Sequence, residues 1–345
     1  MGCQQRLVEW GASAGPIAGV GCAMLWPMDP AIAPPDASAV PDASAVPDAS
    51  AVPDASAVPD AGALAERLEA TGYVSDRELA TIAWLGIRLN RPLLLEGEPG
   101  TGKTALAEAL AQGLGLPLIR LQCYEGIDAT QALYDWDFPR QILHLRAVES
   151  VGGRRDLEEL EAGLFDERFL VPRPILQALR QAPCVLLIDE IDRADDEFEA
   201  FLLEVLSTWQ VSIPELGTIR ATHPPLTVLT SNRTRELHDA LKRRCLYHWI
   251  DHPSLERELA IVHSRAPEVS ADLADQLVRT VQAVRQEPGL IKPPGVAETL
   301  DWARALAELG GRLDLDSAAA TLGVAVKHRE DAQKVRAALD RILAR

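Results

Sequence analysis

The segment at residues 97–104 has the residue types and spacing of a phosphate-binding loop. A glycine is followed by four residues and then by Gly-Lys-Thr, with an apolar run before and a helix-forming run after. Glycines let the backbone wrap closely around phosphates, and N–H groups at a helix start point towards them. We therefore predict that eight residues bind ATP: Gly97, Glu98, Pro99, Gly100, Thr101, Gly102, Lys103 and Thr104.

Two acidic residues follow the apolar run at 185–188 and indicate which reaction the bound ATP undergoes. Asp189 would hold Mg²⁺ through water, opposite the Thr104 hydroxyl, while Lys103 bridges the β- and γ-phosphates. Glu190 is placed to take a proton from an attacking water. Metabolite kinases share the loop but need no such glutamate, because their acceptor is the nucleophile. The pattern therefore predicts ATP hydrolysis.

Two later segments carry further candidates. Asn232 ends the apolar run at 226–231 and could orient the attacking water, although an asparagine after a strand also suits a turn. A short helix at 239–245 ends in Arg243 and Arg244. These arginines either cap the helix or supply an arginine finger to a neighbouring subunit. Arg193 is a second candidate for an interface charge.

The elements that must position these residues can be read from the apolar pattern. Five short apolar runs, separated by helical segments, predict a parallel sheet covered on both faces: 92–96, 118–123, 184–189, 226–231 and 247–251. After Pro253 only helical segments follow, at 255–264, 270–286, 296–309 and 329–343. We predict an α/β nucleotide-binding domain at 63–252 and a helical lid domain at 253–345, with an early helix capped near Asp76.

The first 62 residues have a different composition. Residues 36–60 repeat Asp-Ala-Ser-Ala-Val-Pro, in which regular prolines block a helix and small side chains offer little to bury. We predict an unstructured tail at 1–35 and a disordered linker at 36–62. Gly19 to Cys22 faintly resembles a lipoprotein cleavage site, and Met24 or Met28 are alternative starts. No apolar run is long and clean enough for stable membrane insertion.

Charge and cysteine content limit the classes of partner and ligand that the chain is expected to bind. The formal net charge of −17 argues against nucleic-acid binding, because an acidic surface repels phosphates. Five scattered cysteines form no CxxC pair, so neither a zinc site nor a disulfide framework is predicted. Single cysteines suit a reducing compartment, and we expect a cytoplasmic protein.

Beyond these motifs, the chain resembles the MoxR group of AAA+ ATPases, most closely its CoxD-like branch. The segments that carry the resemblance are residues 133–141, 188–204, 210–218, 230–238 and 292–303, and it extends over about 64–345. It implies a five-stranded P-loop domain with a helical lid, assembled as a homo-oligomeric ring, usually a hexamer. It further implies that Asn232 is the sensor of the γ-phosphate and that Arg244 is the finger.

The resemblance also implies partners. It predicts an insertion within 124–183 and a hairpin at 211–220, both acting on a client protein. MoxR proteins commonly act with a von Willebrand factor A protein, and CoxD-like members assist maturation of a molybdenum hydroxylase such as carbon monoxide dehydrogenase. The lid departs from the family pattern, because Thr299 stands where an arginine sensor is usual and Lys292 is the nearest basic residue.

Three other functions stay open on the sequence. A phosphotransferase acting on a small molecule would need an acceptor pocket beside the phosphate loop. A regulatory nucleotide-binding module would bind ATP without depending on its turnover. DNA translocation is disfavoured by the net charge of −17.

Overall fold

A computed structural model describes residues 58–150 and 163–344 of the chain. The tail predicted at 1–35 and the repeat linker up to residue 57 lie outside the described residues. The end of the predicted linker is folded, which corrects the prediction for residues 58–62. Val58 is buried and its carbonyl accepts a hydrogen bond from Trp84 Nε1 at 3.1 Å. Asp60 then caps the first helix, accepting from Ala63 N at 2.9 Å, so the end of the repeat segment supplies both a buried anchor and an N-cap.

The sheet domain contains nine strands and eight of the labelled helices in the described residues. Its helices are α1 (Ala61–Ala70), α2 (Arg77–Leu89), α3 (Lys103–Leu114), α4 (Ala129–Leu133), α5 (Phe138–Ser150), α6 (Pro174–Arg180), α7 (Asp196–Thr208) and α8 (Asp239–Arg244). Its strands are β1 (Leu93–Gly97), β2 (Leu118–Gln122), β3 (Tyr134–Trp136), β4 (Leu170–Pro172), β5 (Val185–Asp189), β6 (Gln210–Ile213), β7 (Gly217–Arg220), β8 (Leu226–Ser231) and β9 (Leu246–Ile250).

Five of these strands form one parallel sheet in the order β2-β5-β8-β1-β9. The fold class predicted from the apolar runs is thereby confirmed, with each strand at its expected place. In this order β8 lies between β5 and β1, so the carboxyl ends of all three strands meet at the edge where the phosphate loop begins. Ligands of open α/β sheets bind at this edge of the strands.

The two faces of the sheet carry separate cores, as the two-residue period of a strand requires. On β5, Leu186 and Ile188 join a core with α6 and α7, whereas Val185 and Leu187 join one with α1 and α3. Because both faces are covered, β5 is apolar at every position until it ends at Asp189. A continuous apolar run that ends in an acid is therefore the sequence signature of a central strand at this site.

Two small antiparallel ribbons extend from the sheet domain. Strands β6 and β7 form the hairpin expected at 211–220, with Ser212 opposite Thr218. Strands β3 and β4 pair within the expected insertion, between β2 and β5. This second ribbon escaped prediction because each of its strands has only three residues.

The lid consists of α9 (Leu255–Arg265), α10 (Ala271–Arg285), α11 (Val296–Glu308), α12 (Leu315–Ala325) and α13 (Arg329–Leu343). Its core centres on Trp302, which is fully buried and donates from Nε1 to Thr321 Oγ1 at 2.7 Å. Helix α12 is an addition to the four helices predicted. Its buried face consists mainly of Ala318, Thr321, Leu322 and Ala325, so the apolar contrast between its faces is weak. None of the helices in the two described stretches has the length and hydropathy to cross a bilayer.

Candidate nucleotide site

The phosphate loop connects β1 to α3, and its lysine is hydrogen-bonded to carbonyl groups of the same loop. Lys103 Nζ donates to the carbonyls of Gly97 and Glu98 at 2.8 and 2.7 Å. Burial lowers the Lys103 pKa to about 8, and the nearby carboxylates of Asp192, Glu98, Asp189 and Glu190 offset only part of that shift. Gly97 is sterically required, because a Cβ there would lie 2.2 Å from the Ile250 carbonyl oxygen of β9. The loop is thus preorganised to surround an anion.

Asp189 ends β5 as a buried carboxylate with three side-chain partners. Its Oδ1 accepts from the hydroxyls of Thr104 at 3.0 Å and Thr230 at 2.5 Å. Its Oδ2 accepts from the Arg120 guanidinium at 2.5 Å. The predicted pairing of Thr104 with Asp189 is therefore present in the geometry, whereas Thr230 and Arg120 were not anticipated.

Glu190 follows in the left-handed backbone region, with φ of 55°. Its N–H donates to the Thr230 hydroxyl at 2.9 Å, which turns the chain sharply after the strand. Its carboxylate accepts from Gln122 Nε2 at 3.2 Å and lies 3.5 Å from Asn232 Nδ2. A non-glycine residue in this conformation is uncommon and is often found where a site fixes a side chain. The structure therefore brings Glu190 and Asn232 together, as the sequence predicted.

The loop that carries Asn232 is fixed by Asp192, a buried residue that sequence analysis did not single out. Asp192 accepts from the backbone N–H groups of Asn232 at 3.2 Å and Thr234 at 2.8 Å. It also accepts from the Thr234 hydroxyl at 2.7 Å. Asp192 lies only two residues after Glu190, so its closeness to the acidic strand end was the one available signal.

These groups open onto a cleft of about 540 Å³ between the phosphate loop and the lid. The loop between α1 and α2 contributes Gly72, Tyr73 and Val74. The lid contributes Arg257, Ile261, Arg265, Val296, Ala297, Leu300 and Arg304. The cleft has an apolar side and a polar floor that contains Asp189, Glu190, Thr230 and Asn232. Such a shape suits a ligand with a planar base and a charged tail.

A comparison with known families agrees with this geometry. Residues 93–250 match the family described as "ATPase family associated with various cellular activities (AAA)". Residues 93–250 form an AAA ATPase domain. The prediction of an ATPase is thereby confirmed at the level of this domain, which contains the phosphate loop, the acidic strand end and Asn232.

Individual relatives match different shares of this chain and of their own length. The chain is 29% identical over 223 residues to "ATP-dependent zinc metalloprotease FtsH 1" of Thermomicrobium roseum, covering 60% of this chain and 27% of that protein. It is 30% identical over 166 residues to "Nuclear valosin-containing protein-like" of Mus musculus, covering 46% and 15%. An "Uncharacterized protein" of Staphylococcus epidermidis is 24% identical over 241 residues, covering 68% and 82%. The chain thus spans about a quarter or less of the two named relatives.

The arginines at the end of the AAA domain lie away from its cleft. Arg244 and Arg243 are exposed at the end of α8, and neither lines the cleft. Arg244 Nη1 donates to the Leu203 carbonyl at 2.6 Å, and the Arg243 carbonyl accepts from Arg91 at 2.7 Å. Arg193 is also exposed, on an open acidic surface beside Asp195 and Thr234. The role of each arginine stays a prediction.

The lid does not present Thr299 to the cleft. Thr299 is fully buried, and neither it nor Lys292 is among the residues that line the cleft. The Lys292 backbone N–H is instead bonded to Asp331 at 2.9 Å. Thr299, which the resemblance aligns with an arginine sensor, therefore faces the lid interior, where its hydroxyl lies 2.7 Å from Glu258 Oε1. Whether the lid senses the nucleotide stays a prediction.

Proposed function

We propose that this chain hydrolyses ATP with Mg²⁺ and uses the energy to remodel a client protein. The observation that carries the proposal is the convergence of Glu190, Asn232 and Asp189 on the polar floor of the cleft beside the phosphate loop. The same positions that bind phosphate in other P-loop proteins therefore sit next to a carboxylate able to act as a base.

In this scheme each residue has one task. Lys103 and the loop N–H groups bind the β- and γ-phosphates. Asn232 orients a water molecule, which attacks the γ-phosphorus while Glu190 takes its proton. The bond from the γ-phosphorus to the bridging oxygen breaks, and ADP leaves with that electron pair.

Thr104 and Asp189 fit a magnesium site. Their Oγ1 and Oδ1 atoms lie 3.0 Å apart, and hydroxyl and carboxylate oxygens are the donors that Mg²⁺ prefers, in the case of Asp189 through water. When bound, the ion would neutralise charge on the phosphates. Arg120 occupies the other carboxylate oxygen of Asp189, so binding of a cation there would weaken that ion pair.

The proposal includes a homo-oligomeric ring, with six subunits as the expected number. Arg244 would then reach the γ-phosphate in the neighbouring subunit, since it is exposed and outside the cleft of its own chain. Its contact with the Leu203 carbonyl ties its position to α7, which begins six residues after Glu190. A finger in this place would link the sites of adjacent subunits.

The client side of the proposal rests on the insertion and the hairpin. Helix α5 exposes three large apolar side chains, Phe138, Ile142 and Leu143, each at least half exposed. Exposed apolar side chains grouped on one helix are typical of protein-binding surfaces.

By resemblance to CoxD-like proteins, we propose a molybdenum hydroxylase as the client and a von Willebrand factor A protein as the partner, in the cytoplasm. Loss of client maturation in a Lys103→Ala strain with unchanged transcripts would support this part.

The variant Glu190→Gln tests the hydrolytic core. It removes the base but keeps a side chain of the same shape, so we expect ATP binding to persist and phosphate release to fall about 10²- to 10⁴-fold. Glu197→Gln, an exposed acid in α7, is the matched control and should keep its activity. Phosphate release is measured without any acceptor, so it also separates hydrolysis from phosphotransfer. Undiminished release by Glu190→Gln would contradict the assignment.

A further inference from the structure

The first turn of lid helix α11 lies directly against the phosphate loop. The Val296 N–H donates to the Gly100 carbonyl at 2.9 Å. The approach is so close that a Cβ on Gly295 would lie 2.8 Å from the Pro99 carbonyl oxygen and 2.9 Å from the Gly100 Cα. Glu298 closes the turn by accepting from the Gly295 N–H at 3.0 Å. Backbone of the lid therefore contacts backbone of the phosphate loop, with no side chain between them.

The other side of this turn is fixed by a buried ion pair. Arg285 and Glu258 are joined by two hydrogen bonds of 2.6 Å, and both side chains are almost fully buried. The Thr299 hydroxyl lies 2.7 Å from Glu258 Oε1 and 3.0 Å from the Gly295 carbonyl oxygen. Arg285 Nε donates to the Pro294 carbonyl at 2.7 Å. The two residues that precede Val296 are thus held by α9 and α10 through this pair.

The lid arginines at the cleft have other partners. Arg257 binds the Val74 carbonyl at 3.0 Å and Asp76 at 2.6 Å, and Arg265 binds the Gly72 carbonyl at 3.1 Å. Arg304 binds the Arg265 carbonyl at 2.8 Å. The contacts of Arg257 and Arg265 hold the lid to the loop between α1 and α2, whereas that of Arg304 lies within the lid. Among the contacts described, the one that joins α11 to the phosphate loop by a hydrogen bond is that of Val296.

We propose that the lid reads the state of the phosphate loop through the Val296 N–H and that Thr299 is the residue that positions this donor. A hydrogen bond near 2.9 Å tolerates little change in length, so a shift of the Gly100 carbonyl on phosphate binding moves α11 with it. The inference rests on the proposed function, since the loop must bind the phosphates of a nucleotide. It assigns to a main-chain contact the coupling that a lid arginine would otherwise provide.

The variant pair Val296→Pro and Val296→Ala isolates the donor. Val296 is the first residue of α11, where proline fits a helix, and Gly295 before it is extended, as a residue before proline prefers to be. Both substitutions remove the valine side chain, but only proline removes the N–H. We expect ATP to bind Val296→Pro about 3- to 10-fold more weakly than Val296→Ala, as the loss of one hydrogen bond predicts.

The second pair tests the positioning residue. Thr299→Val removes the hydroxyl and keeps the branched shape, whereas Thr299→Ser keeps the hydroxyl. We expect the valine variant to raise KM for ATP severalfold with less than about a twofold change in kcat, and serine to restore KM. A lower melting temperature with KM unchanged would assign Thr299 to stability alone and would overturn its role.

Calorimetric binding of ATP to the full chain separates the possible failures. Equal affinity of Val296→Pro and Val296→Ala would overturn the coupling while leaving the proposed function in place. Absence of ATP binding by the unsubstituted chain would instead sink the proposed function itself. Since both Val296 variants lack the valine side chain, a folding defect caused by its loss would affect both and would not produce the expected difference.

Discussion

Two buried carboxylates, Asp189 at the end of β5 and Glu258 in the lid, have similar burial but opposite surroundings. Asp189 binds two hydroxyls and an arginine, Arg120, whose own side chain is about half exposed. Glu258 binds Arg285, which is only 7% exposed, together with Thr299 and Gln282. One carboxylate faces the cleft, and the other is enclosed by protein on all sides.

The difference separates a site that can exchange partners from one that cannot. Around Asp189, an arriving cation could replace the exposed Arg120, because that guanidinium can return to water at little cost. Around Glu258, removal of a partner would leave a charge buried without compensation. Buried charge alone therefore does not identify a catalytic residue, whereas a buried carboxylate with an exposed partner beside a cleft is a better indicator.

The comparison predicts its largest effect in the lid. Glu258→Ala would leave Arg285 buried and unpaired, and we expect a loss of about 3–5 kcal/mol in the free energy of unfolding. Denaturation in urea measures this loss as a lower transition midpoint. The exposed ion pair between Arg279 and Asp275, on α10 of the same lid, is the control.

For that control, Asp275→Asn should leave the urea midpoint unchanged within error, because solvent screens the exposed pair. Equal shifts in the two variants would contradict the distinction drawn between enclosed and exposed charges. If Glu258→Ala lowers the urea midpoint strongly and Glu258→Gln leaves it at the value of the unsubstituted chain, then hydrogen bonding, rather than charge, holds the first turn of α11.

How far the sequence predicts the site depends on how close together its residues lie along the chain. The phosphate loop and the Asp189–Glu190 pair are contiguous motifs, and each directly follows an apolar run. Their place at the ends of strands was therefore predictable. Arg120 and Gln122 required the strand order, because only the neighbouring position of β2 and β5 brings them to the two acids. Nothing in the apolar pattern specifies that order.

The lid was less predictable than the sheet for a related reason. Four of its helices have clear amphipathic spacing, but α12 buries two alanines, a threonine and a single leucine, and it was missed. Thr299 was matched to a sensor position by resemblance, and only the packing of α9, α10 and α11 reveals that it faces Glu258. In helical packing, a rotation of about 100° per residue decides between cleft and core, and a resemblance in sequence does not fix that angle.

An intermediate effect is expected at the Asn232 loop, which resembles the lid in being fixed by a buried carboxylate. Asp192→Asn would place an amide donor against the N–H groups of Asn232 and Thr234. We expect kcat to fall about 10- to 100-fold, the range for loss of a charged hydrogen bond, with ATP affinity little changed. Asp196→Asn, an exposed acid nearby, should keep its kcat, and an equal loss there would contradict the positioning role of Asp192.

The smallest expected effect concerns the charge of Lys103, which lies in the same cleft as Asp189. Burial lowers its pKa to about 8, and phosphates would favour the charged form. Below pH 8 the ammonium is present and affinity for ATP should be constant. Above pH 8 the lysine must first gain a proton, so the Kd for ATP should rise by up to about tenfold per pH unit.

Titration of ATP binding between pH 7.5 and 9.5 measures this dependence in a window chosen from the pKa values involved. Phosphate groups titrate near pH 6 and lie below the window. Burial raises the pKa of Tyr73 above its usual range, so its phenol, which also lines the cleft, stays neutral. Lys103→Arg keeps a positive charge at every pH of the window and should remove the slope, even if its affinity is lower. A Kd for ATP that does not change with pH in the unsubstituted chain would contradict the lowered pKa of Lys103. It would mean that water replaces the two carbonyl partners of Lys103 as readily as a cation is expected to replace Arg120 at Asp189.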